Sequence, residues 1–166
     1  MILIFTVSLN ENMKLALKIQ EQLNSFGKES EIINLVNLDL PMYDSNKEEK
    51  DGIPSQINVL VQKMESSEGY VVVSPEYNAS IPPVLANFIT WVSRTSDDFR
   101  KLFTLKIIQL ATHSGSGGAN VSNVMRSQFT MLGSILMPRD IIATYKAPIK
   151  EDSLNKIISQ FTKFIK

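Results

Sequence analysis

Cysteine is absent from this chain, which removes disulfides, thiolate nucleophiles and cysteine-held zinc or iron–sulfur centres. Only one histidine is present, His113, so a metal site built on a histidine cluster is excluded. Charge imbalance is missing too: 17 lysines and arginines meet 17 aspartates and glutamates. No global basic field therefore exists to draw in nucleic acid or an anionic membrane. No apolar run approaches the ~20 residues of a membrane-crossing helix. Low-complexity tracts and internal repeats are also missing, which argues against disorder and against a solenoid. Residues 1–8 are apolar, but no basic region precedes them and no small-residue cleavage pattern follows. They read as a buried strand rather than a signal peptide, and a cytoplasmic location is the expectation.

What is present suits one domain over residues 1–166. The composition is 43% hydrophobic and 20% charged, and a chain of this length can bury roughly 70% of its unfolded surface.

Residues 2–7 form a continuous apolar run, the pattern of a strand covered on both faces. Leu15, Leu17, Ile19 and Leu23 then mark a helix that Gly27 stops. Residues 31–35 offer a second strand, and the polar stretch 37–52 reads as a surface loop. Ile57, Leu60, Val61 and Met64 recur at helical spacing, and residues 69–74 supply a third strand. Pro82 and Pro83 can open a third helix, with Leu85, Phe88, Ile89 and Val92 on its inner face. A fourth strand is expected over 105–111, a helix over 120–132 and a last strand over 141–144. Leu154, Ile157, Ile158 and Phe161 stripe the final helix.

Five strands alternating with helices imply an α/β fold of three layers around a parallel sheet. The expected strand order is 2-1-3-4-5. Ligands of such a sheet bind beyond the strands' carboxyl ends, beside the reversal between strands 1 and 3.

Three polar loops leave that rim. In the first, 8–12, Ser8 and Asn12 can donate, and the leading helix amides and dipole make a phosphate site. A plain Asn12 N-cap explains the same residues. The second loop, 74–83, can present Tyr77 and successive amides to a flat polar ligand such as a flavin; a rigid turn with a surface tyrosine is the alternative. The third, 112–120, carries glycines that let backbone approach a ligand closely, though such loops often bind nothing.

The run Ser74-Pro75-Glu76-Tyr77-Asn78, followed by Ser80, Pro82, Leu85, Asn87 and Trp91, resembles the signature of the NADPH-dependent FMN reductase family. Leu40-Pro41, Tyr43, Gly117-Gly118 and Arg126 extend the likeness over nearly the whole chain. The resemblance implies a flavodoxin-like fold and a flavoprotein that takes hydride from NADPH or NADH at flavin N5. Electrons would pass on to a flavin, quinone, azo compound or related small acceptor. It further implies that Ser8, Asn10 and Asn12 hold the FMN phosphate, and that Pro75, Glu76, Tyr77 and Asn78 lie along the isoalloxazine. Gly117 and Gly118 would flank its other edge, and a homodimer or homotetramer would place flavin near a subunit boundary.

Some positions depart from the family pattern. Val7-Ser8 and Asn10 stand where a glycine-serine pair and an arginine are common. Pro83 replaces a glycine, and Ala86 and Thr90 replace lysine and aspartate. These bear on FMN affinity and nicotinamide preference more than on fold.

His113, with Ser114 beside it, would sit near flavin O2 or the ribityl chain, or else serve a surface or capping role. Tyr77 would position substrate. Arg94 and Arg126 are candidates for a nicotinamide phosphate or for ion pairs, and Trp91 for core or subunit contact. No protein nucleophile and no metal is expected, because the flavin carries the chemistry. The competing functions are a flavodoxin-like single-electron carrier and a non-catalytic FMN- or nucleotide-binding regulator.

Overall fold

A computed structural model describes residues 1–165; the last position of the expected 1–166 domain, Lys166, lies outside the described residues. Strand β1 (Ile2–Thr6) is buried along its whole length, as its unbroken apolar run requires. It lies between β2 (Ser30–Asn34) and β3 (Gly69–Val73), parallel to both. Beyond β3 comes β4 (Ile107–His113), also parallel. The order 2-1-3-4-5 holds, and the fold is flavodoxin-like.

The fifth position differs from the single strand expected over 141–144. It is split into β5 (Ile135–Leu136) and β6 (Ile141–Ala143), both parallel to β4. Ile107 faces Ile135, yet Ala111 faces Ile141, so the edge gains two residues between the ladders. Pro138, which has no amide hydrogen to give a ladder, sits in that gap. The buried Gln109 Nε2 donates to Arg139 O at 2.8 Å and so satisfies a carbonyl the break would strand.

Alternation along the strands sorts two cores. Ile2, Ile4, Val71, Val73 and Ala111 pack under α1 (Glu11–Ser25) and α6 (Glu151–Thr162), against Ile19, Leu23, Ile158 and Phe161. Leu3, Phe5, Tyr70, Val72 and Leu110 point the other way. They meet α3 (Ser55–Ser66), α4 (Pro83–Ser93) and α5 (Ala119–Met131) through Leu60, Phe88, Met125 and others. Phe5 has its ring 5.1 Å from Phe88 and 5.3 Å from Tyr70. Each such buried side chain contributes roughly 1.5–3 kcal/mol by leaving water.

Two further expectations need correction. The polar stretch 37–52 contains a helix, α2 (Ser45–Asp51), which buries no residue and so has no apolar stripe to betray it. Asp44 caps it by accepting from Lys47 N at 2.8 Å. The fourth strand runs two residues later than 105–111 because Leu105 turns the chain, at φ 61° and 72% exposed. Thr112 and His113 therefore end β4 rather than begin the third loop.

Candidate active site

Parallel strands deliver all their carboxyl ends to one rim, and pairing continues one residue past those ends. Val7 N donates to Val73 O at 3.1 Å, Ser74 N to Ala111 O at 3.0 Å, and Ser114 N to Ala143 O at 3.0 Å. The three polar loops thus start in step, at Val7, Ser74 and Ser114.

The first loop is held from both sides. Asn34, at the end of β2, donates its amide to Ser8 O at 3.1 Å. Asn12 is buried, and its side chain spans to β4: Nδ2 donates to His113 O at 2.9 Å while Oδ1 accepts from His113 N at 2.7 Å. Asn12 is not the N-cap of α1; Asn10 holds that position and makes no side-chain cap. Ser8 Oγ accepts from Asn10 N at 3.1 Å, which leaves its hydroxyl hydrogen for another partner. Asn10 O takes the Met13 and Lys14 amides at 2.9 and 3.1 Å, so the Glu11 and Asn12 amides are the ones without intrahelical acceptors at the positive end of this 15-residue helix. Glu11 lies in the same turn, and its hydrogen bond from Lys14 holds its carboxyl below the usual range.

The second loop folds back as a tight hairpin. Tyr77 N donates to Ser80 O and Ser80 N to Tyr77 O, both at 2.9 Å, across Asn78 and Ala79. Both central residues have positive φ, 50° and 59°. Asn tolerates that region, whereas Ala79 bears a strain of about 1–2 kcal/mol. Tyr77, at the corner, is 53% exposed. Pro75 and Pro82 beneath it are buried.

The third loop, 114–118, is tied to the second by Glu76. Ser116 Oγ donates to Glu76 Oε1 at 2.5 Å, and Val121 N, in the first turn of α5, donates to Oε2 at 3.4 Å. The Ser116 hydrogen bond, helped by the Val121 amide and the Asn120 side chain, lowers the Glu76 pKa against the opposing effect of burial. The buried Ser114 accepts from Ser116 N at 3.1 Å. Gly118 caps α5 in the left-handed region at φ 76°, and a Cβ there would stand 2.7 Å from Thr112 Cγ2. Gly115 and Gly117 have open space where a side chain would be.

Ser8, Asn10, Asn12, Pro75, Glu76, Tyr77, Asn78, His113, Ser114, Gly117 and Gly118 accordingly all lie on or just beneath one rim. The His113 side chain meets Tyr145, ring centroids 4.7 Å apart, over the loop that follows β6. The two arginines are elsewhere engaged. Arg94 holds both Glu48 oxygens at 3.1 Å, and Arg126 pairs with Asp140 and donates to Met137 O at 2.7 Å. Trp91 is fully buried, with Nε1 donating to Pro41 O at 2.8 Å.

Asn34, Ser116, Asn87 and Tyr145 join the rim and its supports without having been expected there as site residues. Asn87 donates to Pro41 O at 3.0 Å and accepts from Tyr43 N at 2.8 Å, locking the loop after β2 onto α4. Its place in the second-loop signature was the available signal; Asn34 and Tyr145 carried none.

The donors suit FMN. Ser8 and the α1 amides can take a phosphate, and the hairpin and glycine loop offer backbone edges to a planar ring. Two orphaned hydroxyls, Thr6 Oγ1 and Thr112 Oγ1, lie buried at the carboxyl ends of β1 and β4. A cavity of about 510 Å³ lies away from this rim, between α1 and the start of α6, lined by Lys18, Glu21, Glu151 and Asp152 among others. It has neither glycines nor aromatic side chains to receive a ring.

Comparison with known proteins bears on the fold and the family. The quinone reductase of Escherichia coli strain K12 is 31% identical over 99 residues, covering 60% of this chain and 52% of that protein. The chain thus spans about half the length of that relative. Among solved structures, FerB, a flavoenzyme NAD(P)H:(acceptor) oxidoreductase from Paracoccus denitrificans, superposes with a TM-score of 0.75. It is 20% identical, with 98% of this chain and 93% of FerB covered. An oxidoreductase from Corynebacterium diphtheriae gives a TM-score of 0.77 at 13% identity, covering 99% and 95%. At such identities the likeness is one of fold. The NADPH-dependent FMN reductase pattern, however, matches residues 1–148, and the chain belongs to that family of oxidoreductases, which pair FMN with a reduced nicotinamide.

Proposed function

We propose that this chain is an FMN-dependent NAD(P)H oxidoreductase whose flavin lies on the rim formed by the three loops, within one domain spanning 1–166. The observation that carries the reading is the tie of all three loops into one frame, Asn12 to His113 and Glu76 to Ser116, on a chain of this family.

Bound there, FMN would supply a hydride acceptor at N5 and release electrons to a second substrate. The chain's own part is binding and orientation. Ser8 and the amides of Glu11 and Asn12 would hold the phosphate, with Asn10 at the helix entrance. Asn12 would act by fixing the loop, because both its polar atoms are spent on His113. Backbone groups of Pro75, Glu76, Tyr77 and Asn78 would follow one edge of the ring; Ser114, Gly117 and Gly118 would set the other. Tyr77 is exposed enough to bound the nicotinamide or acceptor face. His113, braced by Tyr145, would lie at the ribityl side.

A small flat acceptor such as a quinone fits an open rim. A homo-oligomer would give that rim a second wall. No helix among the described residues is long and apolar enough to cross a membrane. A cytoplasmic location is proposed with it.

The test is anaerobic stopped-flow reduction of FMN-loaded protein by NADPH and, separately, NADH. Flavin absorbance should bleach in a saturable way and return on adding a quinone. A protein that stays colourless and fails to bind added FMN would overturn the reading.

A further inference from the structure

Glu76 does more in this fold than its place in a ligand-facing loop requires. Its carboxylate leaves the second loop, takes the Ser116 hydroxyl at 2.5 Å on one oxygen and faces the Val121 amide at 3.4 Å with the other. Ser116 in turn donates its amide to the buried Ser114 at 3.1 Å, whose own amide is bound to Ala143 of β6 at 3.0 Å. The chain of contacts runs from the hairpin through the glycine loop into the sheet edge. Between its two ends lie Gly115 and Gly117, which have no side chains to hold the loop in place.

The opposite end of the same segment is fixed by Asn12 through the His113 backbone. The glycine loop is therefore clamped at its start from the first loop and at its finish from the second. A segment with glycines at 115, 117 and 118 has many accessible backbone states, and each clamp removes some of them before any ligand arrives.

We propose that Glu76 is a positioning residue: it straps the Tyr77 hairpin to the glycine loop and α5, setting the gap between the two backbone edges that flank the flavin ring. It acts through Ser116 and the Val121 amide and need not touch the flavin. The effect on FMN rests on the function proposed above, whereas the effect on the loop does not.

The experiment compares wild type with Glu76→Ala, Ser116→Ala, the double variant and Glu76→Gln, all as full-length protein. Hydrogen exchange is read over 114–121 without added flavin, and FMN affinity by quenching of flavin fluorescence. Loss of one such hydrogen bond corresponds to about a fivefold change. Exchange should rise about fivefold or more in each single variant, with the double variant no faster than the faster single. FMN should bind about fivefold or more weakly in the same variants. Glu76→Gln, which keeps an acceptor for Ser116, should recover part of both effects. Wild-type exchange in Glu76→Ala, or additive effects in the double variant, would overturn the strap. Faster exchange with unchanged FMN affinity would overturn its positioning role. Faster exchange in a protein that binds no FMN even as wild type would support the strap and sink the flavin reading.

Discussion

Asn12 and His113 are joined across the rim by a reciprocal amide pair, with Asn12 donating at 2.9 Å and accepting at 2.7 Å. A helix side chain there takes the role of a neighbouring strand for one residue. Asn12→Ala would leave the half-buried N–H and C=O of His113 without those partners, at a cost of about 1–3 kcal/mol. Urea denaturation should show that loss, and FMN titration a weaker complex. Stability equal to wild type would mean water replaces the side chain.

Ala79 holds φ 59° in the hairpin that carries Tyr77. Glycine removes a strain of about 1–2 kcal/mol but costs roughly 0.5–1 kcal/mol of extra chain entropy. Ala79→Gly should therefore raise the stability by about 0.5 kcal/mol, visible as a higher midpoint in urea. A valine there should lower it.

Gly118 has the opposite sensitivity. A methyl group would meet Thr112 Cγ2 at 2.7 Å and Ile142 Cγ2 at 3.3 Å, on a backbone at φ 76°. Gly118→Ala should destabilise by about 1–3 kcal/mol, combining overpacking with left-handed strain. Thermal unfolding measures it.

Acid should loosen the rim through Glu76. Its pKa is depressed in the folded chain from an ordinary 4.5, chiefly by the Ser116 hydroxyl. The stability it contributes is thus fully present above about pH 4.5 and is lost as pH falls through the depressed value. Wild type should lose stability more steeply than Glu76→Gln over that window. Parallel curves would remove Glu76 from the acid response.

Asn87 and Trp91 share the Pro41 carbonyl, at 3.0 and 2.8 Å, and Asn87 also holds Tyr43 N. Asn87→Ala should cost about 1–3 kcal/mol and free the loop after β2, raising its proteolysis ahead of the rest of the chain. Trp91→Phe should be milder, since Asn87 still serves Pro41.

The layers of this fold were legible because burial on both faces leaves runs such as residues 2–7, while one-sided helices show stripes such as Leu154, Ile157, Ile158 and Phe161. Helix α2 was not, because capping by Asp44 rather than burial organises it. The split of the edge strand was not legible either, because its two-residue gain depends on what Gln109 can reach across the sheet. The sheet order, legible in the alternation of strands and helices, brings the three loops to one edge. Their division of labour was hidden: nothing local distinguishes an asparagine that meets a ligand from one, like Asn12, consumed by a strand 101 residues away. Arg94 and Arg126 were open for the same reason, until Glu48 and Asp140 claimed them.

The interrupted outer edge has a consequence for how these molecules meet in concentrated solution. An uninterrupted outermost strand would offer its spare amides and carbonyls as a template for another chain to add to. Here β5 and β6 are only two and three residues long, and the kink containing Pro138 parts them. Fibre-like growth from that side is thereby discouraged by the backbone itself, even though Ile135 and Ile142 stand exposed along it.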